Sequence, residues 1–293
     1  TGRTIAFNRD GSNLVDLGDR FTSFYSGGRS SLIDLLYDDP NHVLVFSNDN
    51  LRGVLKRVDV NTGMSEEIVR GFENTSSFAT DGTGYAVLRY DFSQSSDGYR
   101  VFRRANGATD WVIARDFTGA GALRPDFDFI ASGENASQVL ALVRDQATGL
   151  SNLHSYDTST GNLSVPLQTL ESGDADGPWV NGYTGALIAT CELAAHQRCR
   201  ARDPAMQRHI DGIRAYFDGQ AEIYFAGMSA DSSRWLFFAN GPQEAGNWFV
   251  YEPQAGRLRE IAAARPTLNP ALLSPARVVS YQARDGASLW MYV

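Results

Sequence analysis

Short apolar stretches alternate with polar turns along most of the chain. Two of them, V-L-V-F at Val43–Phe46 and V-L-A-L-V at Val139–Val143, are almost continuously apolar, which is typical of strands buried on both faces. The stretches are short and closely spaced, and no helical pattern lies between most of them, which argues against a βαβ architecture. The pattern therefore predicts an all-β protein.

A turn motif recurs at a spacing that indicates repeated units. It consists of an apolar or aromatic residue, a polar residue, three loop residues and a glycine, and it ends at Gly63, Gly107, Gly161 and Gly256. These glycines lie 44, 54 and 95 residues apart, so that one unit between the last two lacks the marker. A repeat of this length, with four apolar stretches per unit, predicts a β-propeller of about five four-stranded blades. A β-sandwich, the other all-β candidate, would not produce this period.

Two parts of the chain depart from the regular unit, namely its N-terminal end and the fourth unit. Residues 1–18 form only a hairpin around Asp10–Gly11, so the propeller is expected to be truncated at its N-terminal end. The third unit is expected to end with a strand over Leu163–Gln168. In the fourth unit the pattern predicts a helix near 204–218, with Asp203 as its N-cap and Gly219 at its end.

The apolar face of this helix has two readings. Apolar residues fall at helical spacing on one side, at Met206, Ile210, Ile213 and Phe217. The first reading is that this face packs against the propeller. The second is that the helix is a rim element that faces a partner domain or an entry path.

Charge and composition narrow the classes of partner. The formal net charge is −8 and the pI is about 5.0, whereas a nucleic-acid-binding protein needs a concentrated basic face. No apolar run approaches the length of a membrane span. We therefore expect neither a nucleic-acid partner nor a membrane span. The chain opens on Thr1 rather than a methionine, which fits either a processed chain that has lost an export signal or a shortened one. On the first reading we expect a periplasmic or secreted protein.

The two cysteines, Cys191 and Cys199, are too few for a disulfide scaffold, and too few for a zinc site unless His196 and another ligand join them. They flank a turn at the ends of two adjacent antiparallel strands. Directly opposed residues in such a hairpin come within disulfide range, and export would allow the bond to form. We predict a Cys191–Cys199 disulfide, with two reduced thiols as the alternative.

No catalytic constellation is recognisable in the sequence. It contains no G-x-S-x-G elbow and no H-E-x-x-H motif, and its glycines match turns rather than phosphate-binding loops. The four histidines, at positions 42, 154, 196 and 209, lie in strands, a hairpin and the helix, where structural roles are expected. We therefore expect no catalytic, cofactor-binding or metal-binding residue, and no hydrolysis by this chain alone.

The composition and the residue pattern change after the last blade. Residues 264–277 form a proline-marked linker, and residues 278–293 form a hairpin that turns at Arg284–Gly286. The segment R-P-T-L-N-P-A-L-L…V-S-Y-Q-A-R-D-G-A-S-L-W-M-Y-V resembles the junction between propeller and hydrolase in the prolyl oligopeptidase family of serine peptidases. Several blade segments, such as L-L-Y-D-D-P-N-H-V-L-V and F-V-Y-E-P-Q-A-G, are similar to those of its bacterial dipeptidyl and acylaminoacyl peptidase branch.

The resemblance implies a domain division and a function. Residues 1–263 would be a partial propeller, and residues 278–293 would be the first hairpin of a C-terminal α/β-hydrolase domain of the same polypeptide. The propeller would gate access of short peptides to that domain, whose catalytic residues would lie beyond Val293. The competing class is a stand-alone propeller that serves as a protein-interaction scaffold. A propeller glycosidase would need acidic residues near the start of several innermost strands, and the sequence shows no regular set.

Overall fold

The computed structural model describes residues 4–18, 30–49, 52–93, 98–118, 126–170 and 173–293. It confirms the all-β fold class, with five consecutive propeller blades and, among these residues, a single α-helix. By the density of its internal contacts the chain divides into two compact units. The first comprises residues 1–144, 154–167 and 183–185, and the second comprises residues 145–153, 168–182 and 186–293.

The first unit opens with the expected hairpin, in which β1 (Ile5–Ala6) pairs with β2 (Val15–Asp16). The first blade consists of β3 (Ser31–Asp34), β4 (His42–Asp49), β5 (Arg52–Asp59) and β6 (Ser65–Arg70). The second consists of β7 (Thr75–Thr80), β8 (Ala86–Ser93), β9 (Gly98–Arg103) and β10 (Val112–Asp116). All neighbouring strands in both blades are antiparallel.

The third blade has three strands, β11 (Phe127–Ser132), β12 (Gln138–Arg144) and β13 (Ser151–Asp157). The fourth strand expected over Leu163–Gln168 was wrong, because this stretch forms only one bridge, between Tyr156 and Leu163. Pro166 lacks the N–H group that a continuing ladder needs, which accounts for the early end of pairing.

In the second unit, the fourth blade contains β14 (Asp174–Val180), β15 (Leu187–Leu193) and β16 (Gln197–Ala201), followed by α1 (Pro204–Tyr216). The fifth blade contains β17 (Glu222–Met228), β18 (Trp235–Asn240), β19 (Asn247–Glu252) and β20 (Arg257–Ala263). Short 3₁₀ turns cover Pro253–Ala255 and Pro270–Leu272. The C-terminal hairpin pairs β21 (Val278–Gln282) with β22 (Ser288–Tyr292).

The recurring glycines take the backbone conformation that the repeat requires. Gly63, Gly107, Gly161 and Gly256 have φ angles of 74°, 79°, 83° and 57°, in the left-handed region that glycine enters without steric cost. The strands that follow these turns in the first, second and fifth blades are largely exposed. Each turn thus leads the chain outward to the edge of its sheet.

The helix begins and ends as its sequence predicts, to within two residues. Asp203 accepts hydrogen bonds from the backbone N–H groups of Ala205 and Met206, each at 3.2 Å, and Pro204 occupies the first turn. The N–H of Gly219 donates to Arg214 O at 3.1 Å, which closes the C-terminal end.

The apolar face of α1 belongs to the core of the second unit. Ile210 and Ile213 are about as buried as any residue in the chain, and Met206 and Phe217 pack around them. The same cluster contains Trp179 from the fourth blade and Ile223, Trp235, Phe237 and Phe249 from the fifth. The first reading of this helix, packing against the blades, is therefore the observed one.

Candidate functional site

Cys191 and Cys199 lie directly opposite each other on β15 and β16, as the spacing predicted. Their Cα atoms are 4.0 Å apart, and the structure joins their sulfurs in a bond. Both side chains are buried in the core of the second unit, beside Trp179 and Ile210. The state of these two thiols in the isolated protein stays a prediction, which thiol titration tests below.

Each histidine ring contacts a partner through Nδ1. The partners are an Asp39 oxygen at 2.9 Å for His42, Ser164 O at 2.9 Å for His154, Glu222 Oε1 at 3.0 Å for His196, and the Tyr251 hydroxyl at 2.8 Å for His209. The contact of His196 with Glu222 belongs to a larger polar cluster at the start of the first strands of the fourth and fifth blades.

This cluster brings two carboxylates together in the second unit. Asp176 lies near the start of β14, and Glu222 is the first residue of β17. Gln197 joins them: its side-chain amide donates to Asp176 at 2.7 Å, and its backbone N–H donates to Glu222 at 2.8 Å. With His196 on the other oxygen of Glu222, the hairpin between β15 and β16 holds both carboxylates in place. We call this set, with Tyr224, the carboxylate cluster.

The electrostatics of the cluster are those of a negatively charged, half-buried site. Tyr224 follows Glu222 on the same face of β17 and is 44% exposed. Burial raises the pKa of its hydroxyl, and the negative charges of Glu222 and Asp176 raise it further. The Tyr224 hydroxyl therefore stays protonated at neutral pH and remains able to donate a hydrogen bond.

The C-terminal hairpin reaches the same place. The Tyr292 hydroxyl donates to the carbonyl oxygen of Ala195, and the Tyr292 ring lies edge-on to the His196 ring with centroids 5.9 Å apart. Burial raises the pKa of Tyr292, and the charge of Glu222 adds to this effect. The hairpin is thus tied to the carboxylate cluster through the turn that also positions His196.

The arrangement is suited to binding a hydrogen-bond donor. Two carboxylates and a tyrosine hydroxyl can accept hydrogen bonds from a cationic or amide group. Nucleophilic catalysis would also need an activated nucleophile and donors for an oxyanion, and the sequence contains no G-x-S-x-G elbow. Within the described ranges, no group of three or more histidine, cysteine or acidic side chains is arranged to hold a metal ion.

The cluster was missed from the sequence, because no acidic pair could be matched to a site for a peptide amino terminus and no regular set of acids recurred from blade to blade. The acids of the cluster lie on β14 and β17, the first strands of the fourth and fifth blades, and its histidine lies in the hairpin between β15 and β16. The sequence does contain an acid at the start of the first strand in each of the last two blades. One lies in D-A-D at Asp174–Asp176, and the other is Glu222. Their proximity depends on how two sheets pack, which the sequence pattern does not reveal.

The chain is similar in sequence to dipeptidyl aminopeptidase BIII of Pseudoxanthomonas mexicana, with 21% identity over 262 residues that cover 87% of this chain and 36% of the relative. A puromycin hydrolase structure matches 97% of the chain and 45% of its own length, at a TM-score of 0.55 and 14% identity. Prolyl oligopeptidase B from Galerina marginata matches 96% of the chain and 39% of its own length, at a TM-score of 0.54 and 12% identity. No family model matches.

The chain resembles the propeller domains of prolyl oligopeptidase-type peptidases. The resemblance stated from the sequence is therefore confirmed. The chain spans about a third of the length of its curated relative and less than half of these two structures. It also matches a putative TolB from Agrobacterium tumefaciens over 100% of the chain and 98% of that protein, at a TM-score of 0.51 and 10% identity.

One further property follows from the fold. Across the described parts of the chain, no helix has both the length and the apolar character that a membrane crossing requires.

Proposed function

We propose that this chain is the substrate-gating propeller domain of a serine peptidase that acts on short peptides, and that a C-terminal α/β-hydrolase domain of the same polypeptide supplies the catalytic residues. The observation that carries the proposal is the C-terminal hairpin. It follows a proline-marked linker and carries the Y-Q-A-R-D-G segment of the resemblance, and Tyr292 ties it to the carboxylate cluster.

The exposed side chains of the hairpin support a docked domain. Tyr281, Leu289, Trp290, Met291 and Tyr292 are each between 39% and 52% exposed, although all five are large and apolar or aromatic. Tyr281, Leu289 and Met291 lie on one face of the hairpin, and Trp290 and Tyr292 lie on the other, so both faces expose apolar surface that a docked domain could bury. A hydrolase domain that continues from this hairpin would cover it, and its active site would then lie close to the carboxylate cluster.

The carboxylate cluster has a natural role in this arrangement. The curated relative is named as a dipeptidyl aminopeptidase, an activity directed at peptide amino termini. A peptide amino terminus is a cation, and Asp176, Glu222 and Tyr224 present acceptors for it. We place the amino-terminal end of a bound peptide at this cluster.

The test is to express the complete reading frame that encodes this chain beside residues 1–293 alone. We expect the complete protein to release the chromogenic amine from aminoacyl or peptidyl anilides, and a serine-directed phosphonate to abolish this release. Residues 1–293 alone should release none. Phosphonate-sensitive turnover by residues 1–293 would refute the proposal, and so would an inactive but folded complete protein.

The alternative is a stand-alone propeller that serves as a protein-interaction scaffold, an architecture that the full-length match to the TolB-like structure exemplifies. The same experiment separates the two, because a scaffold would show no phosphonate-sensitive activity in the complete protein. The Y-Q-A-R-D-G hairpin favours the peptidase.

A further inference from the structure

A cavity of about 500 Å³ opens between the first two blades, within the first unit and apart from the carboxylate cluster. Its volume lies within the range of about 300–1,000 Å³ that is usual for small-molecule sites. One wall is the turn between β3 and β4 with the strands behind it, and the other is the turn between β7 and β8, at Gly82–Tyr85, with Asn106.

The floor of the cavity is apolar. Leu36, Leu44 and Ile68 line it, and Ile68, on the outer strand of the first blade, is 41% exposed. An apolar body that covers Ile68 would gain the free energy of removing this surface from water. The floor alone would suit any apolar group.

The backbone is strained at one residue that lines the cavity, Leu36. Leu36 has a φ of 48°, in the left-handed region that branched aliphatic residues rarely adopt. Its side chain lies over Gly84, where an added Cβ would come within 2.4 Å of Leu36 Cδ2. Such strain persists only where surrounding contacts enforce it, and it is concentrated at binding sites. Here the strained residue is Leu36, on the floor of the cavity, and it is held over Gly84.

The charged side chains at the rim determine whether the cavity favours a cationic or an anionic ligand. The Arg57 guanidinium is hydrogen-bonded to Asp39 and lies 3.8 Å from Glu66, so two carboxylates neutralise it. Arg57 holds the pKa of Asp39 at about 2, with His42 contributing, so Asp39 stays ionised. Asp38 adds a further carboxylate to the lining, and it makes no ion pair with any residue that the structure describes. The rim therefore carries surplus negative charge.

From this geometry we propose that the cavity is a binding site for an ammonium group on an apolar stem, with the stem on Leu36, Leu44 and Ile68 and the ammonium at Asp38. Two sources have this chemistry: a free arylalkylamine and a lysine side chain of a peptide. The site lies in the first unit and is independent of the proposed hydrolase partner, so failure of either proposal leaves the other standing.

The experiment is an NMR titration of residues 1–293 with three probes of the same shape, 4-phenylbutylamine, 4-phenylbutanol and 4-phenylbutyrate. We expect saturable binding of the amine, binding of the alcohol weaker by about tenfold, as for loss of a charge-assisted hydrogen bond, and none of the carboxylate. Equal affinity for amine and alcohol would overturn the proposal, as would the absence of saturable amine binding.

Two variants locate the site. Asp38→Asn should weaken amine binding by about tenfold without changing alcohol binding, and Ile68→Trp should fill the cavity and weaken both. Asp211→Asn, on the exposed side of α1 in the other unit, makes the same change of net charge and should leave both affinities unchanged. An unaltered affinity for the amine in Asp38→Asn would overturn the proposal.

A second arm identifies the source of the ammonium. A blocked tripeptide, acetyl-Ala-Lys-Ala-amide, is compared with its norleucine analogue. Binding of the lysine peptide but not the norleucine peptide supports the site and assigns it to peptide side chains. Binding of phenylbutylamine without binding of the lysine peptide supports the site and assigns it to free amines.

Discussion

At the scale of single residues, the second blade contains a buried charge with an unusual environment. The Arg89 side chain is only 4% exposed and forms a salt bridge of 2.9 Å with Asp91. Its guanidinium lies over the rings of Phe72, Phe102 and Trp111, at 4.6, 4.3 and 5.2 Å from their centroids. Aromatic faces and a carboxylate together compensate a cation that would otherwise be costly to bury.

Removal of the carboxylate should expose that cost. Asp91→Asn leaves the Arg89 guanidinium buried without its counter-charge, and we expect the free energy of unfolding to fall by about 3 kcal/mol. Urea denaturation measures this fall in the free energy of unfolding. Asp116→Asn is the matched control, because the Arg100–Asp116 pair is exposed and should contribute little. Equal effects of the two substitutions would contradict the role given to Arg89.

Asp39 gives a prediction about pH. Its pKa is about 2 in the folded protein, chiefly because of Arg57, whereas an unfolded aspartate has a pKa of about 3.9. A lowered folded pKa stabilises the protein above the unfolded value, and this contribution is lost as the pH falls from about 4 towards 2. Asp39→Asn should therefore be less stable than the parent at pH 6, and the difference should shrink as the pH approaches 2.

Urea midpoints between pH 6 and pH 2 for the two proteins measure this difference. The other carboxyl groups are common to both, so their titration cancels in the comparison. A difference in stability that is constant over this range would show that the Asp39 charge does not contribute.

The proposed disulfide predicts the number of reactive thiols in the protein. Cys191 and Cys199 face each other across β15 and β16, with Cα atoms 4.0 Å apart, so oxidation should join them. Protein purified without reductant and then unfolded should react with no equivalent of a thiol reagent, and with two after reduction. Two reactive thiols before reduction would show that the bond is absent.

At the scale of elements, the helix replaces a strand. The fourth blade has three strands, and α1 follows β16 at the position where the fifth and the first two blades have a fourth strand. Ile210 and Ile213 join a core shared by the fourth and fifth blades. The helix buries its apolar stripe in this core, whereas a fourth strand would pair with the edge of β16 through backbone hydrogen bonds.

A charge on this stripe should destabilise the second unit strongly. Ile213→Asp places an unpaired carboxylate in the core, and we expect a loss of about 3–5 kcal/mol in the free energy of unfolding. Gly212→Asp is the control, because position 212 is exposed and a Cβ there meets nothing within 4 Å. The control should melt near the parent. Similar melting temperatures for Ile213→Asp and the parent would mean that this face is not buried in solution.

At the scale of the whole molecule, the proposed gating makes a prediction about substrate size. A propeller in front of an active site excludes folded proteins, whereas short peptides can pass. For the complete reading frame, kcat/KM should fall steeply as peptides with the same terminal residues are lengthened, and a folded protein with that terminus should resist cleavage. Chromatography of the products measures both. Equal rates for a pentapeptide and a folded protein would contradict gating.

Much of the fold was predictable because it depends on local patterns. The turn glycines, the helix cap at Asp203 and the opposition of Cys191 and Cys199 follow from spacing within one blade, and the structure shows each of them. The strand expected over Leu163–Gln168 failed for a local reason as well, because Pro166 weighs against pairing. Pro166 was visible in the sequence, but a fourth strand was still expected because the other blades show a regular pattern of four.

The sequence by itself determined the all-β class, the repeat and the resemblance to a peptidase propeller, because apolar periodicity and turn residues act over a few positions. The two candidate sites depended on the tertiary structure. Gln197 joins Asp176 to Glu222, which also contacts His196, because two strands and a hairpin pack together. Asp38 and Ile68 line one cavity although they lie on a turn and on a strand that are distant in sequence. Their separation along the chain carries no periodic signal. Only the packing of the folded chain places these charges beside one another.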